Sequence, residues 1–281
     1  MSGPKSIGPV RIRLRTPPAA AGLLWIRRGL RAFLRRPGGF MGLFGLVLLA
    51  LLMVAMTSPL VEMAAMALMP LLSLGFMVAT EDLLNDLAVR PRAFWAPVAR
   101  DAAARRALLN IGLVYLATFL LMYFFGDRLD GGEAKAWMQA IATPRPDGSM
   151  PEPPPISGLG MFVLLLKTFG LALVSIPLWH APALVHWGGQ RAAQAMFSSI
   201  VALWRTRAAF GVYLLGWCAI GSLFIFTLFL LAAAFGGLQM AVVLMTPVSW
   251  ALSAVFYVTL WFGFADTFEI TAAGGSGARA G

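Results

Sequence analysis

Residues 177–213 read PLWHAPALVHWGGQRAAQAMFSSIVALWRTRAAFGVY. An apolar run ends at His180-Ala-Pro-Ala-Leu-Val185, and a helix of mixed polar and apolar residues follows. Trp204-Arg-Thr-Arg207 then leads into another apolar run. Span, surface-lying helix, span is the layout of a chain that threads a bilayer, with arginines held at the boundary where a charge stays hydrated.

Composition agrees. Hydrophobic residues make up 59% of the 281 and charged residues 12%, against about 45–50% and about 25% in soluble domains. The mean hydropathy of +0.79 leaves more contiguous apolar sequence than one soluble core absorbs. Cys218, the single cysteine, lies inside an apolar run and reads as a packing residue. A net charge of +10 fits nucleic acid or an anionic surface, and its clustering beside apolar runs selects the membrane surface.

Two other places repeat parts of the 177–213 pattern: Arg35-Arg36-Pro-Gly-Gly-Phe40 before the first apolar run, and Arg105-Arg106 before the third. With these residues, the chain from about 20 to 270 resembles a family of uncharacterised multi-pass inner-membrane proteins of Gram-negative bacteria. The resemblance implies an architecture and no activity.

Residues 1–21 have no periodicity and are expected to form a disordered basic tail. No cleavable leader is expected, because the first long apolar run begins at Phe40 and Ala65-Met-Ala67 sits deep in the second. Residues 22–36, GLLWIRRGLRAFLRR, predict a basic amphipathic helix. Leu23, Ile26, Leu30, Phe33 and Leu34 share one face, Trp25 lies near its boundary, and Arg27, Arg28, Arg31, Arg35 and Arg36 fill the rest. These five arginines are the candidate ligands for anionic lipid headgroups.

Six segments are long enough to span, at about 20 residues each: roughly 40–58, 61–80, 107–126, 157–180, 209–234 and 239–264. The expected fold is an all-α polytopic membrane protein of three transmembrane hairpins, with tight turns at Ser58-Pro59 and Gly236-Gly237. Interfacial helices are expected at 22–36, 92–105 and 190–206, a unit used three times. Eighteen lysines and arginines fall on the side of the termini, three in the opposite loop 127–156, and Lys167 inside a span. Both termini are therefore expected in the cytoplasm and the loop in the periplasm. That loop predicts a short helix at 132–142, with Trp137 dipping toward lipid, and an extended stretch at Pro151–Pro155. Residues 269–281 read as a flexible tail.

The search for chemistry returns little. Two histidines, His180 and His186, six apart, and one distant cysteine do not make a metal site. No phosphate loop or nucleophile motif occurs. No cofactor and no enzymatic activity are expected. His180 predicts a hydrogen-bonding interfacial histidine. Glu81, Asp82, Asp86, His180 and Asp266 gather at the expected cytoplasmic mouth, where they form either a salt-bridged collar or a cation or substrate vestibule; Asp86 and Arg90 are four apart, in the favourable order. Lys167, near the expected midplane, either snorkels or pairs with Glu62. Pro70, Pro177 and Pro247 interrupt the second, fourth and sixth spans, as plain kinks or as the lining of a cavity.

Two functions stay open: a non-catalytic scaffold or envelope-maintenance component, and a carrier for a small or lipidic solute through the kinked spans. Membrane lipids are the expected partners and nucleic acid is not; a homo-oligomer or other membrane partner is left open.

Overall fold

The computed structural model describes residues 10–142 and 152–272. Strand β1 (Val10–Leu14) leads into α1 (Ala21–Arg35), α2 (Pro37–Ala55) and α3 (Pro59–Ala65). A 3-10 turn at Met66–Leu68 joins α3 to α4 (Met69–Leu84), and short α5 (Ala96–Ala99) precedes α6 (Ala102–Leu129). Then come α7 (Glu133–Ala142), α8 (Gly158–Ser175), α9 (Ala181–His186), α10 (Ala192–Arg205), α11 (Arg207–Ala234), α12 (Leu238–Thr267) and β2 (Phe268–Ala272). The fold is almost wholly α-helical.

Among the described residues, five helices are long and apolar enough to cross a membrane: Pro37–Ala55, Leu60–Leu84, Ala102–Leu129, Arg207–Ala234 and Leu238–Thr267. The fourth expected span falls on α8, Gly158–Ser175, 18 residues against the 19 of α2, and the chain then tightens into a 3-10 turn at Ile176–Leu178. Pro177 is the cause, since it has no N–H to continue the helical ladder. Pro70 sits at the start of α4 after a similar turn, whereas Pro247 is carried inside the unbroken α12.

The core is not centred. Trp25, Phe40, Leu43, Leu74, Phe76 and Tyr213 are all buried, and all lie toward the end of the bundle that carries most of the arginines. In α11 the buried side chains are Ala209, Phe210 and Tyr213, all within its first two turns. Beyond them Leu215, Leu223, Phe226 and Phe229 are exposed. Apolar side chains are cheap to expose only where hydrocarbon is the solvent, so the far halves of the helices are built to face lipid.

Helix α1 has three sectors where two were expected. Gly22, Trp25, Gly29, Ala32 and Phe33 are buried against the bundle. Leu23, Leu30 and Leu34 form an exposed apolar stripe, and Arg27, Arg28, Arg31 and Arg35 an exposed basic one. Trp25 is therefore the centre of the docking face, not its boundary. Small residues let α1 approach closely: a side chain on Gly22 would collide with the Ala209 carbonyl and the Tyr213 amide, and one on Gly29 with Thr259. Helix α10 repeats the design, with Ala195, Ser199 and Ala202 buried and Phe197, Ile200 and Trp204 exposed.

Three sequence expectations need correction. The N-terminal tail is not disordered throughout, because Val10–Leu14 pairs antiparallel with Phe268–Ala272, Ile12 opposite Ile270. The same pairing removes 269–272 from the flexible C-terminal tail. Nor do residues 92–105 form one surface helix. Pro91 starts a 3-10 turn, α5 lasts four residues, and Asp101 caps a new helix by accepting the Ala104 N–H at 2.6 Å. The 132–142 helix is present as α7, and most of the expected Pro151–Pro155 stretch, from Glu152 on, has no regular structure; Pro151 itself lies outside the described residues.

If close backbone approach docks α1, Gly22→Leu should lower stability by about 1–3 kcal/mol, as overpacking does. Gly38→Ala, with open space around its added carbon, should melt as the wild type does. Equal melting temperatures for Gly22→Leu and wild type in detergent would refute the docking role.

Candidate functional site

Helix α9 is the hub of the basic end. Ala181, Ala183, Leu184 and Val185 are buried to 1% exposure or less, packed among α4, α6 and α10. The six-residue helix fills the space below the break at Pro177 as a plug. Ser199 of α10, itself 1% exposed, mends that break. Its hydroxyl donates to the Pro177 carbonyl at 2.5 Å and accepts the His180 N–H at 3.3 Å. A bare peptide group in a dry interior costs several kcal/mol on the scale of about 2–7 kcal/mol, so one hydroxyl serving both sides of the break is a strong local constraint.

His180 does not fit the expected role of an interfacial hydrogen-bonding residue. Its ring is buried, with Phe210, Phe264 and Phe268 at centroid distances of 5.4, 5.9 and 5.5 Å. Neither ring nitrogen has a hydrogen-bond partner among the described residues. Here His180 acts as one more aromatic ring in a cluster that continues through Trp179, Tyr213 and Trp25. His186, at the end of α9, is pushed down to about 4 by burial and by the Arg100 guanidinium, so it is neutral near pH 7. Arg100 also donates to the His186 backbone carbonyl.

The acidic residues do not converge. Asp266 accepts the Trp25 indole N–H at 2.8 Å and the Arg28 guanidinium at 3.0 Å. Glu81 accepts the Trp187 indole N–H at 2.9 Å, and Asp82 lies 3.8 Å from Arg92. Asp86 falls beyond the end of α4 with φ of 58°, so the helical Asp86–Arg90 pairing expected from the sequence has no helix to sit on. Glu269 of β2 meets Arg15 at 3.0 Å. At this end Glu81, Asp82, Asp266 and Glu269 each meet a partner on another element, and Asp86 does not. No group of three or more metal-ligating side chains occurs among the described residues.

Of the five arginines singled out in α1, Arg28 is spent on Asp266. Arg27, Arg31, Arg35 and Arg36 are exposed and make no ion pair among the described residues. They flank the Leu23–Leu30–Leu34 stripe, so hydrocarbon-seeking and anion-seeking surfaces adjoin on one helix. Where α10 meets α11, Arg207 of α11 lies over the exposed Trp204 ring of α10 at 5.3 Å, an arrangement of the same kind.

Lys167 pairs with Asp127, not Glu62. Glu62 lies exposed in the first turn of α3. The register of α8 on α6 explains the choice: Gly126 faces Val163 and Lys167, and Gly170 faces Met122. The first turns of α8 therefore run past the end of α6 and pack Val163 beside Ala134, with Trp137 and Ile156 against them. Lys167 is level with the last turn of α6, away from the midplane, and its ammonium also lies 5.0 Å from the Tyr123 ring. Nearby Asp130 is pulled up by desolvation. The Ala134 and Gly132 N–H groups and Lys167 outweigh this, and its carboxyl ends below the usual range.

Ser199, Asp127 and the acceptor role of Asp266 for Trp25 were not singled out in the sequence. A serine two turns into an apolar helix carries no local signal; its partner is set by where α10 crosses the break.

No family model matches the chain, and no solved structure matches it. Over 258 residues it is 26% identical to a probable inner membrane protein of Burkholderia thailandensis, covering 90% of this chain and 92% of that relative. The resemblance read from the sequence is therefore met over nearly the whole bundle, and the chain is a polytopic membrane protein.

A double-mutant cycle checks the ion pair. Lys167→Met and Asp127→Asn should each destabilise the detergent-solubilised protein, and the double variant should lose less than their sum, by about 1–3 kcal/mol. Strictly additive losses would show that the two charges do not depend on each other.

Proposed function

We propose that this chain is an inner-membrane protein that crosses the bilayer six times, as three hairpins with both termini in the cytoplasm. It acts there as a non-catalytic scaffold or envelope-maintenance component. The hairpins are α2 with α3–α4, α6 with α8, and α11 with α12. The basic end is the cytoplasmic one, in keeping with the eighteen-to-three distribution of lysine and arginine. The relative in Burkholderia thailandensis, a probable inner membrane protein, supports the membrane.

One observation carries the scaffold reading over the carrier: the break at Pro177 is sealed by Ser199 and filled by α9. A carrier with discontinuous helices keeps freed backbone groups turned toward a hydrated site. In this chain the Pro177 carbonyl is taken by Ser199 and the Pro70 carbonyl by the Ser73 hydroxyl at 2.9 Å, while α12 runs through Pro247. Arg27, Arg31, Arg35 and Arg36, with the apolar stripes of α1 and α10, suit a cytoplasmic face anchored on anionic headgroups. Each such cation near the surface contributes about 1 kcal/mol.

Cysteine accessibility tests this. In a Cys218→Ala background, Ala183→Cys should resist a membrane-impermeant thiol reagent applied from either side, while Arg13→Cys on the exposed face of β1 labels fully. Labelling of Ala183→Cys as fast as Arg13→Cys would mean that the plug opens, and the carrier would replace the scaffold. Reporter fusions complete the test of topology: one after residue 205 should be active in cytoplasmic format, and one at residue 140 in periplasmic format.

A further inference from the structure

The β1–β2 ribbon is packed onto the basic end by one face. Ile12, Leu14, Phe268 and Ile270 lie on the core, with Ile12 against Gly188 beyond α9 and the Phe268 ring 5.5 Å from that of His180. Alternation turns Arg11, Arg13 and Arg15 outward, and all three are exposed. Arg15 is held by Glu269, whereas Arg11 and Arg13 make no ion pair among the described residues. The ladder leaves one edge of β1 open. The Arg15 N–H donates to the Thr267 carbonyl at 2.8 Å, and bonded pairs alternate along antiparallel strands. Arg11 and Arg13 therefore turn their peptide groups to β2, and Ile12 and Leu14 turn theirs away. Those outward groups have no hydrogen-bond partner among the described residues. On β2, by contrast, the outward Phe268 N–H is already given to the Phe264 carbonyl of α12.

The ribbon also stands clear of the bilayer. Helices α1 and α12 run antiparallel, with Trp25 beside Gly263 and Gly29 beside Thr259. Along α1, six residues separate Gly29 from Arg35, next to the start of the α2 span; along α12, eight separate Thr259 from Thr267, where the ribbon begins. At helical rise the ribbon lies about 20 Å from the start of that span. Headgroup charges act over about 8 Å at physiological salt. We propose that the free edge of β1 is a docking site for an extended acidic segment of a water-soluble partner protein, which adds to the ribbon as a third strand. The proposal rests on the scaffold reading above and names the chemistry of its partner. A row of outward N–H and C=O groups fits a strand, not a lipid headgroup or a nucleic-acid phosphate. Arg11 and Arg13 then face the partner's side chains at every second position, so acids belong there. A second copy of β1 is a poor occupant, because its arginines would stand opposite these.

The test uses the full-length protein in nanodiscs of neutral phosphatidylcholine, titrated into a fluorescent peptide of alternating glutamate and valine and read by anisotropy. Wild type should bind the peptide saturably. Arg11→Gln combined with Arg13→Gln should bind it about fivefold more weakly, as two exposed ion pairs are lost. Methylating the backbone nitrogens of either the valines or the glutamates keeps the peptide's charge. One of those two sets faces β1, and that methylated peptide should bind about tenfold more weakly. Arg105→Gln combined with Arg106→Gln removes as much charge from exposed positions on α6 and should bind as wild type does. No saturable binding to wild type would reduce Arg11 and Arg13 to guards that keep a bare edge from aggregating. Full binding of both methylated peptides, or displacement of the parent peptide by phosphatidylglycerol vesicles or RNA at matched charge, would make the surface a general anion site. Either result overturns the proposal, as does an equal loss in the α6 variant. Peptide binding in nanodiscs is read whichever side of the membrane the ribbon faces and is independent of access to Ala183, so this proposal and the scaffold reading fail separately.

Discussion

A chain that must leave hydrocarbon through a broken helix has to satisfy the peptide groups the break exposes, and in this protein Ser199 does so. Its hydroxyl holds the Pro177 carbonyl and the His180 amide together. With that corner fixed, α9 turns under the bundle, and its alanines, leucine and valine fill the middle of the basic end. The position of α10 follows, because the helix must bring Ser199 to the break. The small residues Ala195 and Ala202 on the same face let it come that close.

Around this plug the packing is aromatic and graded. Trp25, Trp179, Phe210, Tyr213 and Phe256 form a continuous set of tilted and edge-on rings, with centroid separations from 5.3 to 6.5 Å. Rings so placed gain from their quadrupoles as well as from burial. Polar ends are drained outward to the rim: the Trp25 indole to Asp266, the Trp187 indole to Glu81. Rigidity is thus concentrated at one end, while the other end leaves its helices to lipid. The β1–β2 pair closes the basic end by tying the two ends of the described chain together.

Much of this was legible in the sequence because the bilayer imposes a length and an arginine boundary. The apolar runs gave the long helices, Pro37-Gly38-Gly39 gave the corner after α1, and the spacing of Phe197, Ile200 and Trp204 belongs to a surface-lying α10. What escaped depended on partners far away. Val10-Arg-Ile-Arg-Leu14 alternates as a strand does, but its partner lies at the other end of the chain, and a lone strand has no stability to predict. Trp25 seemed marginal on α1 because leucine outweighs glycine in any reading by hydrophobicity; Gly22 and Gly29 matter only once a neighbouring backbone is known. Asp127 could not be chosen over Glu62 without the register of α8 on α6. Arg27, Arg31, Arg35 and Arg36, without an ion pair among the described residues, were visible from the start, and the loss of Arg28 to Asp266 was not.

Backbone hydrogen exchange in lipid nanodiscs addresses the sealed break most directly. The amides of Leu184 to Trp187, which close α9 onto its own carbonyls, and the His180 amide held by Ser199 should exchange as slowly as those of Val258 to Phe264 in α12. Ser199→Ala should speed the first group selectively while leaving α12 unchanged. Fast exchange across 180–187 in the wild type, on the scale of exposed loops, would contradict a sealed break and with it the account of this fold as a closed bundle.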